Sequence, residues 1–204
     1  MYLPGRRQTD SEPELLQLSK VRGVVTETWK TLLSARWAGG PVLAAWPDEV
    51  HLARIADDSR TTALCVIPWN DEGVAAWVRA SNPELIGSNP VVVNMSRPLV
   101  EDPVVEQALK TLTQSVNHAN NLAGAPDKRD AVATLLILHD GGHQLHPPDI
   151  YAWAPANGWP ARGALRLREL AATIAGGKRP QLKHRSPFRK DILSVWQQEA
   201  ADDE

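Results

Sequence analysis

Residues 149–180 read DIYAWAPANGWPARGALRLRELAATIAGGKRP, and the spacing of their apolar residues decides the second half of the chain. Ile150, Trp153 and Ala154 fall on one face of a short helix. Ala164 or Leu165, Leu167 or Leu170, Ala171 and Ile174 recur at steps of three and four, the period of a second helix packed on one side. Between the two, Asn157-Gly158-Trp159-Pro160 reads as a tight turn in which Gly158 can take the positive φ that a side chain resists. Ala154, four residues before Gly158, is small enough to let two helices approach closely. Pro155 counts against the first helix, because an interior proline removes an N–H and crowds the preceding turn. The outline is that of a helix-turn-helix-like pair.

Charge begins inside this stretch. Residues 161–190 carry nine Lys or Arg against one acidic residue, whereas 101–160 carry three against seven and 191–204 none against five. The formal net charge of −2 conceals that asymmetry. Arg162, Arg166 and, depending on helix phase, Arg168 face away from the inner stripe, where they can meet phosphates or base edges. Lys178, Arg179, Lys183, Arg185, Arg189 and Lys190 extend the positive region. The expected partner is therefore anionic, either nucleic acid or an acidic protein surface. The competing expectation is that these cations meet the chain's own acids, Asp202-Asp203-Glu204 or the acidic middle segment, or are simply solvated.

The neighbouring sequence is also helical. Val105, Ala108, Leu109, Leu112, Val116, Ala119 and Leu122 form one stripe, predicting a helix over 104–123 that carries His118 among asparagines. Gly124-Ala125-Pro126 breaks it, and Asp127 is placed to cap a helix reaching about residue 139. Ser186-Pro187 reads as a cap for a last helix through Trp196. The second half is expected to be a bundle of about five helices, over 99–204.

Residues 1–98 read as a small α/β domain, possible to pack with the second half as one unit. Residues 1–13 are polar and expected to be frayed. A helix is expected over 14–37, with a break possible at Gly23. Val42-Leu43-Ala44-Ala45-Trp46, Ala63-Leu64-Cys65-Val66-Ile67 and Val91-Val92-Val93 are short apolar runs bounded by prolines or polar residues. Alternating with helical segments at 49–55 and 71–80, they predict a three-stranded parallel, Rossmann-like sheet with both faces covered.

In such sheets ligands bind beyond the carboxyl ends of the strands. Asp48, Asn70, Asp71 and Arg97 occupy those ends and form an alternative ligand site; Asp48 and Asp71 also suit helix capping. Neither a G-x-G-x-x-G nor a Walker A pattern occurs, so no nucleotide held by a glycine loop and no cofactor is expected. His139, Asp140, His143 and His146 place four metal-ligating side chains within eight residues, which would suit a divalent transition metal and hydrolytic chemistry. Gly141-Gly142 interrupts any shared helical face, and an incidental cluster in a turn is the favoured reading. Cys65, the single cysteine among 204 residues, excludes an internal disulfide and is expected to be an inert core thiol. Ser96 lies outside any nucleophile-elbow motif.

Eight tryptophans against one phenylalanine and two tyrosines make Trp the main large core residue, and each buried indole N–H needs an acceptor. No apolar run approaches the roughly 18 residues of a membrane span, and the first residues lack the apolar core of a signal peptide. A cytoplasmic protein without a membrane segment is expected. Three functions remain open: a non-enzymatic binder of an anionic partner through the basic helical region; a small-ligand binder or hydrolase-type enzyme at the strand ends; and an interaction module built on exposed tryptophans.

Overall fold

The structure, a computed structural model, describes residues 1–5, 7, 11–31, 37–86, 98–181 and 186–203. It is mixed α/β and mostly helical, with a four-stranded parallel sheet and eight α-helices among the described residues. The chain divides into two compact units, Met1–Val74 and Ala75–Glu204.

In the first unit, β1 (Tyr2–Leu3), β2 (Glu27–Thr28), β3 (Gly40–Ala45) and β4 (Thr61–Ile67) lie in the order β2-β1-β3-β4, every pairing parallel. Val42, Leu43 and Ala44 sit opposite Leu64, Cys65 and Val66. The two-residue period of a strand separates two apolar clusters. Tyr2, Val42 and Ala44 pack with Ile55, Trp29 and Trp37, whereas Leu3 and Ala45 pack with Leu15 and Trp46. Helix α1 (Pro13–Ser19) precedes β2, and α2 (Glu49–Ala56) connects β3 to β4. Asp48 caps α2 by accepting from the His51 N–H at 2.8 Å.

Three expectations for this unit need correction. The expected frayed terminus contributes β1, a strand flanked on both sides, with Tyr2 and Leu3 buried. Two apolar residues in a polar segment are too few to register as a strand; pairing with β2 and β3 supplies what local sequence lacks. The helix expected over 14–37 stops at Ser19. Gly23 then takes φ of +92°, and β2 pairs Glu27 and Thr28 with Tyr2 and Leu3. Finally, β4 is an edge among the described strands, none of its residues is buried, and Cys65 is exposed rather than in the core. The strand expected at 91–93 lies outside the described residues.

The second unit contains α3 (Ala75–Ser81), α4 (Pro103–Ser115), α5 (Ala125–Asp140), α6 (Pro147–Ala156), α7 (Ala161–Ala175) and α8 (Ile192–Asp202). Its core joins Leu109, Leu112, Leu135, Leu138, Leu167 and Ile174 to three tryptophans, Trp153, Trp159 and Trp196. Each of those indoles finds an acceptor: Glu106 Oε1 at 3.3 Å, Thr113 Oγ1 at 2.8 Å and Thr111 Oγ1 at 3.0 Å, respectively. Hydrogen bonding is what makes burying so many indoles tolerable.

The helix expected over 104–123 ends eight residues early. Val116 turns extended, the Asn117 side chain accepts from the Ala119 N–H, and residues His118–Asn120 form a 3-10 turn. Asn121 and Leu122 follow with φ of +52° and +58°. Short amide side chains compete with the helical ladder, and asparagine tolerates the left-handed region better than most residues. Val116 and Leu122 stay buried, so the apolar stripe continues although the helix does not. Nor does Ser186 begin α8: its Oγ accepts from the Phe188 N–H at 3.3 Å, and the helix starts at Ile192.

Candidate anion-binding site

The site is built on the turn between α6 and α7. Helix α6 retains Pro155 inside it and runs to Ala156. Because Pro155 stands in the last turn, its missing N–H withholds one hydrogen bond without interrupting a long ladder. Gly158 has φ of +85°, and the Trp159 N–H returns to the Ala154 carbonyl at 3.1 Å, closing the turn over the fully buried Ala154. Trp159 is the anchor. Its indole N–H reaches Thr113, and the ring meets His118 edge-on at 4.9 Å between centroids.

Helix α7 leaves this anchor with one face inward, through Ala164, Leu165, Leu167, Ala171 and Ile174. Arg162 and Arg166, one turn apart, are exposed on the opposite face. Arg168 is not on it; its guanidinium lies over the Tyr151 ring at 5.5 Å. The guanidinium of Arg166 is fixed by donating from Nη1 to the Asn121 carbonyl at 2.8 Å.

The loop that receives it is itself braced. Asp127, buried at the start of α5, accepts from the Asn117 N–H at 3.0 Å and from the Asn120 amide nitrogen. His118 is held through Nε2 by the Thr113 carbonyl at 2.9 Å. Beside Arg166 this arrangement leaves an open hollow of about 510 Å³, with Leu122, Ala123 and Leu170 as its apolar part. Lys128, Arg166, Glu169 and Thr173 supply its polar groups. Lys128 was not singled out by sequence reasoning. Nothing local marks it, because it comes to line the same hollow as Arg166 through the packing of α5 on α7.

The other expected cations fare differently. Lys178 is exposed just past α7, where its N–H closes the helix end on the Thr173 carbonyl at 3.1 Å. Arg179 forms a two-pronged bridge to Asp140, at 2.7 and 2.6 Å. The hydrogen-bonded Arg179 guanidinium holds the Asp140 carboxyl below the usual aspartate range, and the hydrogen bond to the Asp140 carboxylate in turn raises Arg179. Lys183 and Arg185 lie outside the described residues.

At the strand ends, Asp48 is committed to capping α2, and Asn70 Oδ1 accepts from the Gly73 N–H at 2.8 Å. The Asp71 carbonyl accepts from the Val74 N–H at 3.3 Å, opening a 3-10 turn, and Arg97 lies outside the described residues. Trp69, beside Asn70, is 78% exposed and meets Trp46 edge-on.

His139, Asp140, His143 and His146 do not converge. His143 Nδ1 donates to Asp102 Oδ2 at 2.7 Å, while Asp140 faces Arg179. His146 is the capping position of α6, where its carbonyl accepts from Ile150. Among the described residues no three His, Cys, Asp or Glu side chains gather as a metal ion would require. A helix break at Gly141 turns His143 toward the start of α4, where Asp102 also caps that helix through the Val104 N–H at 2.9 Å. The histidine therefore ties a turn to a helix end.

No helix among the described residues is long and apolar enough to cross a membrane.

Residues 101–197, just under half of the chain, match the family described as Domain of unknown function (DUF1889). The match takes in α4 to α7 and the first part of α8, and so the whole of the α6–α7 turn, the braced loop and the hollow. Its description carries no activity. No curated protein and no solved structure matches the chain.

Proposed function

We propose that the protein is a non-enzymatic binder of nucleic acid that presents α7 to duplex DNA as the second helix of a helix-turn-helix-like pair. The observation that carries this reading is the placement of Arg162 and Arg166. They stand one turn apart near the start of a helix that leaves a tight glycine turn, with one guanidinium already oriented by Asn121. An arginine fork held in place loses less freedom on meeting a phosphate or a guanine edge than a free one does. Lys128 and Lys178 extend the same positive character, whereas Arg179 is excluded by its pairing with Asp140.

The parallel sheet, on this reading a Rossmann-like unit, supplies none of these residues. A reducing, cytoplasmic setting suits both a nucleic-acid partner and the exposed thiol of Cys65.

The test is a fluorescence-anisotropy measurement of mixed-sequence duplex DNA at about 50 mM salt, a range in which phosphate contacts dominate binding. Wild-type protein should bind, and Arg162→Ala combined with Arg166→Ala should lose most of that affinity while keeping its helical circular dichroism. Absence of binding by wild type at low salt, or undiminished binding by the double variant, overturns the reading. Binding to an acidic protein but not to DNA would do so as well.

A further inference from the structure

The hollow beside α7 has features that a surface for passing phosphates does not need. Its volume of about 510 Å³ falls within the roughly 300–1,000 Å³ of small-ligand sites and equals about 17 waters at ~30 Å³ each. A bare phosphate would leave most of it empty. Its lining mixes both signs of charge with apolar surface. Lys128 on α5 and Arg166 on α7 are cations, Glu169 is an exposed carboxylate one turn after Arg166, and Leu122 and Leu170 are the apolar part. Arg166 commits one N–H to Asn121, and a guanidinium has five, so donors remain for a ligand. The Thr173 hydroxyl donates to the Glu169 carbonyl at 2.7 Å, which leaves its lone pairs turned to acceptance.

Two cations beside a carboxylate suit a small ligand that carries a charged phosphate together with hydroxyl donors. We propose that this hollow is a binding site for a small phosphomonoester bearing hydroxyl groups, of the size of a nucleoside monophosphate. Lys128 and Arg166 hold its phosphate, Glu169 accepts from its hydroxyls, and Leu122 and Leu170 cover the face of its ring. The site goes beyond the DNA-binding reading and shares Arg166 and Lys128 with it but not Arg162, so the small phosphate and duplex DNA compete for those two cations.

Isothermal titration calorimetry with adenosine 5′-monophosphate, ribose 5-phosphate, inorganic phosphate and adenosine as separate probes tests the proposal. Adenosine 5′-monophosphate should bind most tightly, and adenosine should bind too weakly to measure. Lys128→Gln should weaken adenosine 5′-monophosphate about ten- to a hundredfold, the usual range for a charge-assisted contact. Because Arg166 also braces the loop, Lys128→Gln is the primary variant, and Arg166→Gln should add a comparable loss.

Glu169→Gln gives opposite signs: weaker binding of the hydroxylated phosphates, but equal or stronger binding of inorganic phosphate. Arg162→Gln, outside the hollow, should leave adenosine 5′-monophosphate binding unchanged within about twofold while weakening duplex DNA. Equal affinity for inorganic and organic phosphates, insensitivity to Lys128→Gln, or no binding of any probe would overturn the site. Duplex binding that still depends on Arg162 would then leave the DNA reading standing, so the two failures are distinguishable.

Discussion

Arg166 Nη1 donates to the carbonyl oxygen of Asn121 at 2.8 Å, joining the exposed face of α7 to a loop whose backbone at Asn121 is left-handed, with φ of +52°. The position of the guanidinium thus depends on a backbone conformation 45 residues away in sequence. Gly163, one turn before Arg166, lies against the same loop: a Cβ there would make an ordinary contact with the Asn121 Cα at 3.6 Å.

A substitution that changes no charge should therefore weaken binding. Asn121→Val places a β-branched side chain in the left-handed region, at a cost of about 1–3 kcal/mol. It should lower the denaturant midpoint and reduce duplex affinity by loosening Arg166. Asn121→Gly, which adopts that φ freely, should retain both within about 1 kcal/mol and about twofold. Denaturant titration and DNA anisotropy on the two variants check this. Equal DNA affinity for Asn121→Val and wild type would show that the loop does not position Arg166.

Asp102 serves two partners at once, capping α4 through Oδ1 and accepting from His143 through Oδ2. Asp102→Ala removes both and should destabilise the protein by about 1–2 kcal/mol or somewhat more. Asp102→Asn keeps an acceptor for the Val104 N–H and should cost less. Urea midpoints at neutral pH measure the difference. An Asn variant as unstable as the Ala variant would mean that the cap contributes little.

The bridge between Asp140 and Arg179 makes a prediction about pH. The guanidinium lowers the Asp140 folded-state value, so the pairing contributes above the ordinary aspartate range and is lost as pH falls through the depressed value. Carboxyl-carbon NMR should place the Asp140 midpoint below that of an unpaired aspartate, and Arg179→Gln should move it upward. Both side chains are largely exposed, so the variant should scarcely change stability at pH 7. A midpoint that does not move would show that the bridge is not kept in solution.

Trp159 joins the turn to α4 by burying its indole and donating to Thr113. Trp159→Ala should cost about 3–5 kcal/mol, the range for emptying a large aromatic site. Trp159→Phe keeps most of the packing and loses the indole hydrogen bond, while the Thr113 hydroxyl still donates to the Leu109 carbonyl at 2.8 Å, for a smaller loss of about 1 kcal/mol. Chemical denaturation of the three proteins checks the ranking.

The helix pair around the turn at 157–160 was legible because several local signals agree there: a glycine at the turn, a small residue four before it, and inner stripes on both sides. Pro155 was the misleading signal, since its cost depends on distance from the helix end, which periodicity does not reveal. The loop after α4 was hidden for the opposite reason. Val116 and Leu122 keep the helical period while Asn121 and Leu122 leave the helical backbone, so the stripe overruns the element. β1 was invisible because a two-residue strand owes its existence to neighbours on either side.

For the site, Arg162 and Arg166 could be placed from helix phase alone. Lys128 could not, since it lines the hollow beside Arg166 through packing between helices. Sequence groups Arg179 with them because it shows the charge but not the partner, Asp140.

The most direct measurement is the slope of duplex-DNA affinity against salt for wild type and for Arg162→Ala with Arg166→Ala. Each phosphate neutralised contributes about 0.9 to the fall of log K with log salt, so losing two contacts should make the slope shallower by about 1.8. A wild-type slope near zero, or the same slope in both proteins, would contradict α7 as the DNA-binding face.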